Sequence, residues 1–186
     1  MRSVPLLLAA VASAGCGYLG SARDFDPAEF SRDPRWLRAG DVPLILQKSE
    51  RDCGAAAVAM ILDHWGRGVP FETLVAGLPE DPARGYKAGD LKKLLEAQRL
   101  RAFVVSGKVE HLIEQLAQGR PSIVGLVKPG ALGPSTHFEV VVAYHAVDQR
   151  VVTLDPARGW RENGLAGFLG EWDPAGRALV VAFDTD

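Results

Sequence analysis

The sequence predicts an α+β fold in which N-terminal helices pack on a C-terminal antiparallel sheet. Residues 53–65 form a strongly helical, Ala-rich stretch in the first half of the chain, with shorter helical patterns at 71–77, 89–98 and 109–118. The second half changes character: 122–127, 137–147, 151–154 and 177–183 are β-rich runs separated by Pro, Gly and Asp turns. Helices first and strands second is the α+β pattern, and it leaves an early helix free to pack on a sheet built later in the chain.

At 186 residues the chain is long enough for one domain with a hydrophobic core. Residues 1–15 read as an export signal, with Arg2 at the positive start, a short apolar core over 4–14 and small residues after it. That core is too short to span a bilayer as a mature helix. Ser13-Ala14-Gly15-Cys16 resembles the lipobox of bacterial lipoproteins, in which the cysteine is lipidated and becomes the new N-terminus. Ser13 stands where Leu or another apolar residue is usual, and the other reading is ordinary cleavage after Ala12-Ser13-Ala14. The lipobox reading places the protein in the cell envelope, held to the membrane by the N-terminal lipid. With Gly17 after the cysteine, resemblance points to the periplasmic face of the outer membrane in a Gram-negative host. The ordinary-cleavage reading leaves it secreted or periplasmic.

Residues 16–41 are rich in small, charged and Pro residues and read as a tether. Phe25, Phe30, Trp36 and Leu37 are too apolar for a purely solvated linker, so part of it is expected against the domain. The domain proper spans 42–186. Its first apolar run, 42–46, leads into a polar turn over 47–51, and Asp52 then stands at the N-cap of the 53–65 helix, which Gly66 ends. Residues 101–105 read as a strand, and Gly119 closes the amphipathic helix before the sheet-forming half.

Cys53 opens the principal helix, where unpaired N–H groups and the positive end of the dipole stabilise a thiolate. A buried structural cysteine is the competing reading. Of four histidines, His64 lies eleven residues along the same helix, about 16 Å away at 1.5 Å per residue, and cannot reach. His111 sits among Lys108, Glu110 and Glu114 and is expected to face water, and His145 is expected to be exposed near a turn. His137 opens an apolar strand after a Gly- and Pro-rich loop, where a side chain can project into a cleft, and is the best base. Asp155 ends the next apolar strand, where a carboxylate can hold an imidazole in the right tautomer, although Asp-Pro also simply starts turns. A tight turn on Asp148-Gln149 would leave His137 and Asp155 out of step; a longer loop or a bulge would bring them together. Gln47, just upstream, can supply a side-chain amide to an oxyanion beside the Cys53 backbone N–H.

Gln47-x5-Cys53 within Gln-Lys-Ser-Glu-Arg-Asp-Cys-Gly-Ala-Ala, then His137-Phe138-Glu139-Val140-Val141-Val142, then Asp155-Pro156, resembles the bacteriocin-processing cysteine peptidases. The resemblance covers about 42–183. It implies a papain-like fold and cleavage after a double glycine in leader peptides. It implies further that Cys53 attacks, His137 is the acid–base, Asp155 orients it and Gln47 lines the oxyanion hole. Gly85 and Gly89 resemble a loop preceding a helix near that family's cleft. Family members fused to exporters face the cytosol, whereas the N-terminal segment here predicts that the substrate is met outside it.

The formal net charge of −2 excludes a nucleic-acid footprint, which needs clustered Lys and Arg. The expected partners are a peptide or protein substrate and the membrane, with the export system unassigned. The chemistry calls for no cofactor or metal. Two rival readings stay open: a cell-wall peptide hydrolase or acyltransferase, and a non-catalytic, lipid-anchored binding module of the same fold.

Overall fold

The computed structural model describes residues 21–78, 86–129 and 133–184. The expected export signal, Cys16 and Gly85 lie outside the described residues. The element order is β1 (Arg23–Asp24), α1 (Glu29–Arg32), β2 (Trp36–Arg38), α2 (Cys53–His64), α3 (Phe71–Ala76), α4 (Ala88–Ala97), β3 (Arg101–Ser106) and α5 (Val109–Ala117). It continues with β4 (Ser122–Lys128), β5 (Ser135–His145), β6 (Arg150–Asp155), β7 (Gly159–Gly164), α6 (Leu165–Trp172), one 3-10 turn (Asp173–Ala175) and β8 (Ala178–Phe183).

The strands form one eight-stranded sheet in the order β1-β7-β6-β5-β4-β8-β3, with β2 also paired to β5. Every pairing is antiparallel. Consecutive residues of β4 and β5 are buried, so both faces of the sheet centre are covered. Helix α2 lies on β5 and β4 and packs on α3 and α4. It is buried from Cys53 to Leu62, as its run of Ala, Val, Met, Ile and Leu requires. A helix apolar all round is a core helix, and α2 is the one on which the α+β layers meet. No helix among the described residues is long and apolar enough to cross a membrane.

The expected tether is part of the folded body from Ser21 onward. β1 pairs with β7, the strand that would otherwise be the sheet edge, and β2 pairs with the far end of β5. Phe25, Phe30 and Trp36 are buried together, their rings 4.9–5.6 Å apart, with Trp160 edge-on to Phe30 at 5.8 Å. Three aromatics of this size offer too much apolar area to leave in water, about 2 kcal/mol or more each when buried, and that drives the arm onto the sheet. The arm also overturns the expectation for His145. That residue is fully buried, its Nε2 3.2 Å from Asp33 of the arm and its Nδ1 accepting the Asp148 backbone N–H.

Strand β7 and helix α6 were not expected from the sequence. The run Arg161-Glu162-Asn163 is polar throughout, yet all three are buried. The arm pairs them: Arg161 with Asp24 and the Ala22 carbonyl, Glu162 with Arg23, and Asn163 with the Ser21 hydroxyl. Elsewhere the expected elements are present with shifts of one or two residues at their ends.

Candidate active site

Cys53 is the first residue of α2 and is buried, with Asp52 at the N-cap making no side-chain capping bond. The first-turn amides are therefore not claimed by Asp52 and stay directed at the space beside the sulfur. Gly54 follows Cys53 on the same first turn. A Cβ there would meet Leu91 Cδ2 at 2.9 Å and Tyr86 Cδ2 at 3.0 Å, so the glycine is required by the close packing of α4 and Tyr86 rather than by a substrate backbone.

His137 lies near the start of β5 and is fully buried. Its Nε2 is 2.7 Å from Asp155 Oδ1, and its side chain hydrogen-bonds Cys53. Asp155 ends β6 and also accepts the Ala157 backbone N–H at 2.7 Å. Burial pushes the His137 ring down, but the bonds to Asp155 and Cys53 outweigh it and raise the ring to about 10. For Asp155, burial works upward, while the His137 bond, the Ala157 N–H and the nearby Lys128 charge together hold its carboxyl below the usual carboxylate range.

The two residues meet because of a bulge. From the four-residue turn over 146–149, β5 and β6 pair as His145↔Arg150, Tyr144↔Val151 and Ala143↔Val152; beyond Val142 the register slips to Val141↔Thr153 and Val140↔Leu154. Continued, the slipped register sets Asp155 across from Glu139 and diagonal to His137. A one-residue change of register moves a side chain to the other sheet face. Had the register at the turn continued through Val142, Asp155 would share a face with Val140 instead of His137. Both parts of the sequence expectation thus enter: a short turn and a bulge that corrects it.

Gln47 lies in the polar segment before α2 and donates its backbone N–H to the Pro156 carbonyl at 2.9 Å, tying that segment to the end of β6 beside Asp155. Its Oε1 is buried with no hydrogen-bond partner among the described residues. The other two histidines are placed elsewhere. His64 Nδ1 meets the Asp41 carbonyl at 2.8 Å, and His111 caps α5 by accepting the Lys108 N–H.

A cleft of about 610 Å³ opens over Cys53, lined among others by Glu50, Tyr86, Lys87, Ser135, Thr136 and Phe138. Tyr86 and Lys87 fall in the Gly-Tyr-Lys-Ala-Gly-Asp segment whose glycines drew attention in the sequence; the aromatic between them was the stronger signal. Sequence reasoning also missed Lys128 and Glu139, which lie behind the histidine. Donor atoms of His137, Glu139 and Asp155 all fall within 4.8 Å of one another, as in a metal site. Glu139, however, is already ion-paired with Lys128 at 2.8 Å and accepts the Thr153 hydroxyl at 2.6 Å, so a cation would compete with an ammonium in place.

A helix-borne cysteine facing a histidine at a strand start, on a mixed helix and antiparallel-sheet body, defines a papain-like cysteine peptidase. A model of the peptidase C39 family matches residues 41–185, and the chain belongs to that family. Over 131 residues, 69% of the chain, it is 28% identical to the lactococcin-G-processing and transport ATP-binding protein of Lactococcus lactis subsp. lactis, spanning 17% of that protein's length. Its fold is similar to that of a double-glycine-motif protease from an AMS/PCAT transporter, solved with a leader peptide: TM-score 0.63 and 22% identity, over 80% of this chain and 94% of that one. A C39-like peptidase from Bacillus anthracis superposes with TM-score 0.66 and 18% identity, over 81% of this chain and 98% of that one. The peptidase domain of Streptococcus ComA superposes with TM-score 0.63 and 20% identity, over 78% and 100%.

Proposed function

We propose that this cysteine peptidase cleaves a leader or other peptide after small residues such as Gly-Gly, with Cys53 as nucleophile, His137 as acid–base, Asp155 orienting the ring and Gln47 in the oxyanion hole. The observation that carries the reading is the His137 ring, bonded to Asp155 on one side and to Cys53 at the start of α2, beneath an open cleft. The names of the Lactococcus relative and of the leader-bound protease structure support the peptide class.

A ring held protonated to about 10 stands ready to pair with the charge on the attacking sulfur. The sulfur adds to the scissile carbonyl carbon, and the oxygen's charge falls between the Cys53 backbone N–H and the Gln47 amide. His137 then gives its proton to the departing amine as the C–N bond breaks, leaving a thioester. Water adds to the thioester carbon, its proton passes to the neutral ring, and the thiolate leaves with the carboxylate product released. The ring's first proton thus leaves with the amine, water restores it, and the proton of the acid product passes to solvent, so the site needs no other acid.

We further propose export and anchoring by a lipid on Cys16, supported by Ala14-Gly15-Cys16. Two experiments test the reading. On a double-glycine leader peptide the wild type cuts, while Cys53→Ala and His137→Ala lose turnover almost completely and keep binding. A Cys53→Ala variant that cuts as well as wild type overturns the mechanism, and tight binding without cleavage by the wild type establishes the binding module instead. Metabolic lipid labelling follows the wild type into membranes, and Cys16→Ala abolishes it; label on the variant leaves plain secretion.

A further inference from the structure

A second buried carboxylate stands beside the catalytic pair and needs an explanation. Glu139 follows His137 by two residues on β5, is 1% exposed, and brings a carboxylate oxygen within 4.8 Å of donor atoms of both His137 and Asp155. Two carboxylates this close and this dry cannot both stay ionised without a counter-charge, and the usual result is that one takes up a proton. A second carboxylate could also compete with Asp155 for the imidazole.

Lys128, at the end of β4, answers both problems. Its side chain is 3% exposed, and Nζ lies 2.8 Å from Glu139 Oε1 and 2.5 Å from Glu171 Oε2 on α6. Thr153 Oγ1 donates to the other Glu139 oxygen at 2.6 Å. Glu139 is therefore held by both oxygens, while Asp155 keeps the His137 bond. Glu171 in turn accepts the Ser21 backbone N–H and hydroxyl on its free oxygen. Burying a lysine without purpose is expensive, since desolvation opposes its charge; here the two glutamates overcome that cost and keep it charged.

We propose that Lys128 is a positioning residue of the peptidase site: its buried ammonium lets Glu139 and Asp155 remain ionised together and reserves Asp155 as the partner of His137. The charged or titratable groups around it are Glu139 on β5, Glu171 on α6 and Asp155 on β6, with His137 and, across the ring, Cys53 on α2. The inference rests on the assignment of His137 and Asp155 to catalysis. Lys128 touches neither substrate nor sulfur, so its effect reaches the reaction only through the ring and its carboxylate.

The test is the pH profile of kcat/KM on a cleavable leader peptide, with a double-mutant rescue. Lys128→Met leaves Glu139 and Asp155 sharing one proton, so the acid limb moves up by about one pH unit or more. Adding Glu139→Gln removes the surplus charge, keeps an acceptor for Thr153, and returns the limb toward the wild-type position. A purely structural lysine would lower the melting temperature without moving the limb and without rescue. If Lys128→Met does not fold, Glu139→Gln alone carries the test: removing a negative charge beside the ring moves the basic limb to lower pH. An unmoved acid limb in a folded Lys128→Met, a double variant that keeps the displaced limb, or an unmoved basic limb in Glu139→Gln overturns the proposal. These outcomes are separate from failure of the catalytic assignment, which shows itself as turnover surviving in Cys53→Ala or His137→Ala.

Discussion

Replacing Asp155 by Asn removes one charge and almost no volume, which makes it the sharpest probe of how the ring is held. Asp155 is 3% exposed, and its Oδ1 accepts both the His137 ring at 2.7 Å and the Ala157 N–H at 2.7 Å. An amide oxygen can still accept, but the ring loses the partner that outweighs burial and contributes to a value of about 10. Losing an opposite charge at this range shifts a titration by roughly one to three pH units. The basic limb of kcat/KM should therefore fall from near 10 toward about 7 to 9, and turnover near neutrality should drop on the order of 10²–10⁴-fold, short of the loss in Cys53→Ala. Stability has its own signature. The raised His137 ring stabilises the fold fully below its ordinary value near 6.5, and that contribution is lost as pH rises through about 10. The depressed Asp155 carboxyl stabilises above its ordinary value of 3.8, and that is lost only as pH falls through its lower folded value. The Asn variant should thus unfold at lower alkaline pH and lose the acid-dependent part. A fluorogenic leader peptide and thermal melts across about pH 2 to 11 read both effects. A basic limb left at its wild-type position, or turnover equal to wild type, refutes the reasoning.

Three further outcomes follow from the same geometry. Gly54→Ala gains about 1 kcal/mol of helix propensity but overpacks Leu91 and Tyr86 at 2.9 and 3.0 Å for about 1–3, so the melting temperature falls modestly. Displacing Tyr86 from the cleft raises KM more than it lowers kcat, and steady-state kinetics separate the two. Gln47→Ala lowers kcat on the order of 10²-fold with KM little changed, because its contact strengthens as the oxyanion forms. Deleting Val142 makes the ladder regular, keeps Asp155 across from Glu139 and on the His137 face, and frees the Ala39 N–H that now binds the Val142 carbonyl. A folded deletion variant whose turnover falls by far more than about tenfold would contradict that account of the pair.

What could be read from the sequence follows a physical divide. The start of α2 was legible at Cys53 because capping, an Ala-rich run and a terminal Gly are local signals. His137 and Asp155 could be picked out at strand ends, but not the bulge at Val142, which is fixed by the strands on either side and by the arm's bond to its carbonyl. His145 looked exposed because the sequence could not show Asp33 and Trp36 returning to cover it. The burial of Arg161, Glu162 and Asn163 was illegible for the same reason, since their partners lie some 140 positions earlier. Lys128 and Glu139 each read as an ordinary charge on a strand, and only the closed sheet makes them neighbours.

The folded arm changes how an anchored molecule would meet its substrate. Twenty-six residues of free tether would let the domain roam far from the bilayer. With the chain fixed from Ser21, whose backbone and hydroxyl are both held by Glu171, only the step from Cys16 to Ser21 is left, a reach of at most about 17 Å. Were Cys16 acylated as proposed, the peptidase would be held on a short leash at the lipid surface, and its encounters would become a search in two dimensions. A peptide emerging from the same membrane is then met at high effective concentration, whereas one free in solution gains nothing from the anchor.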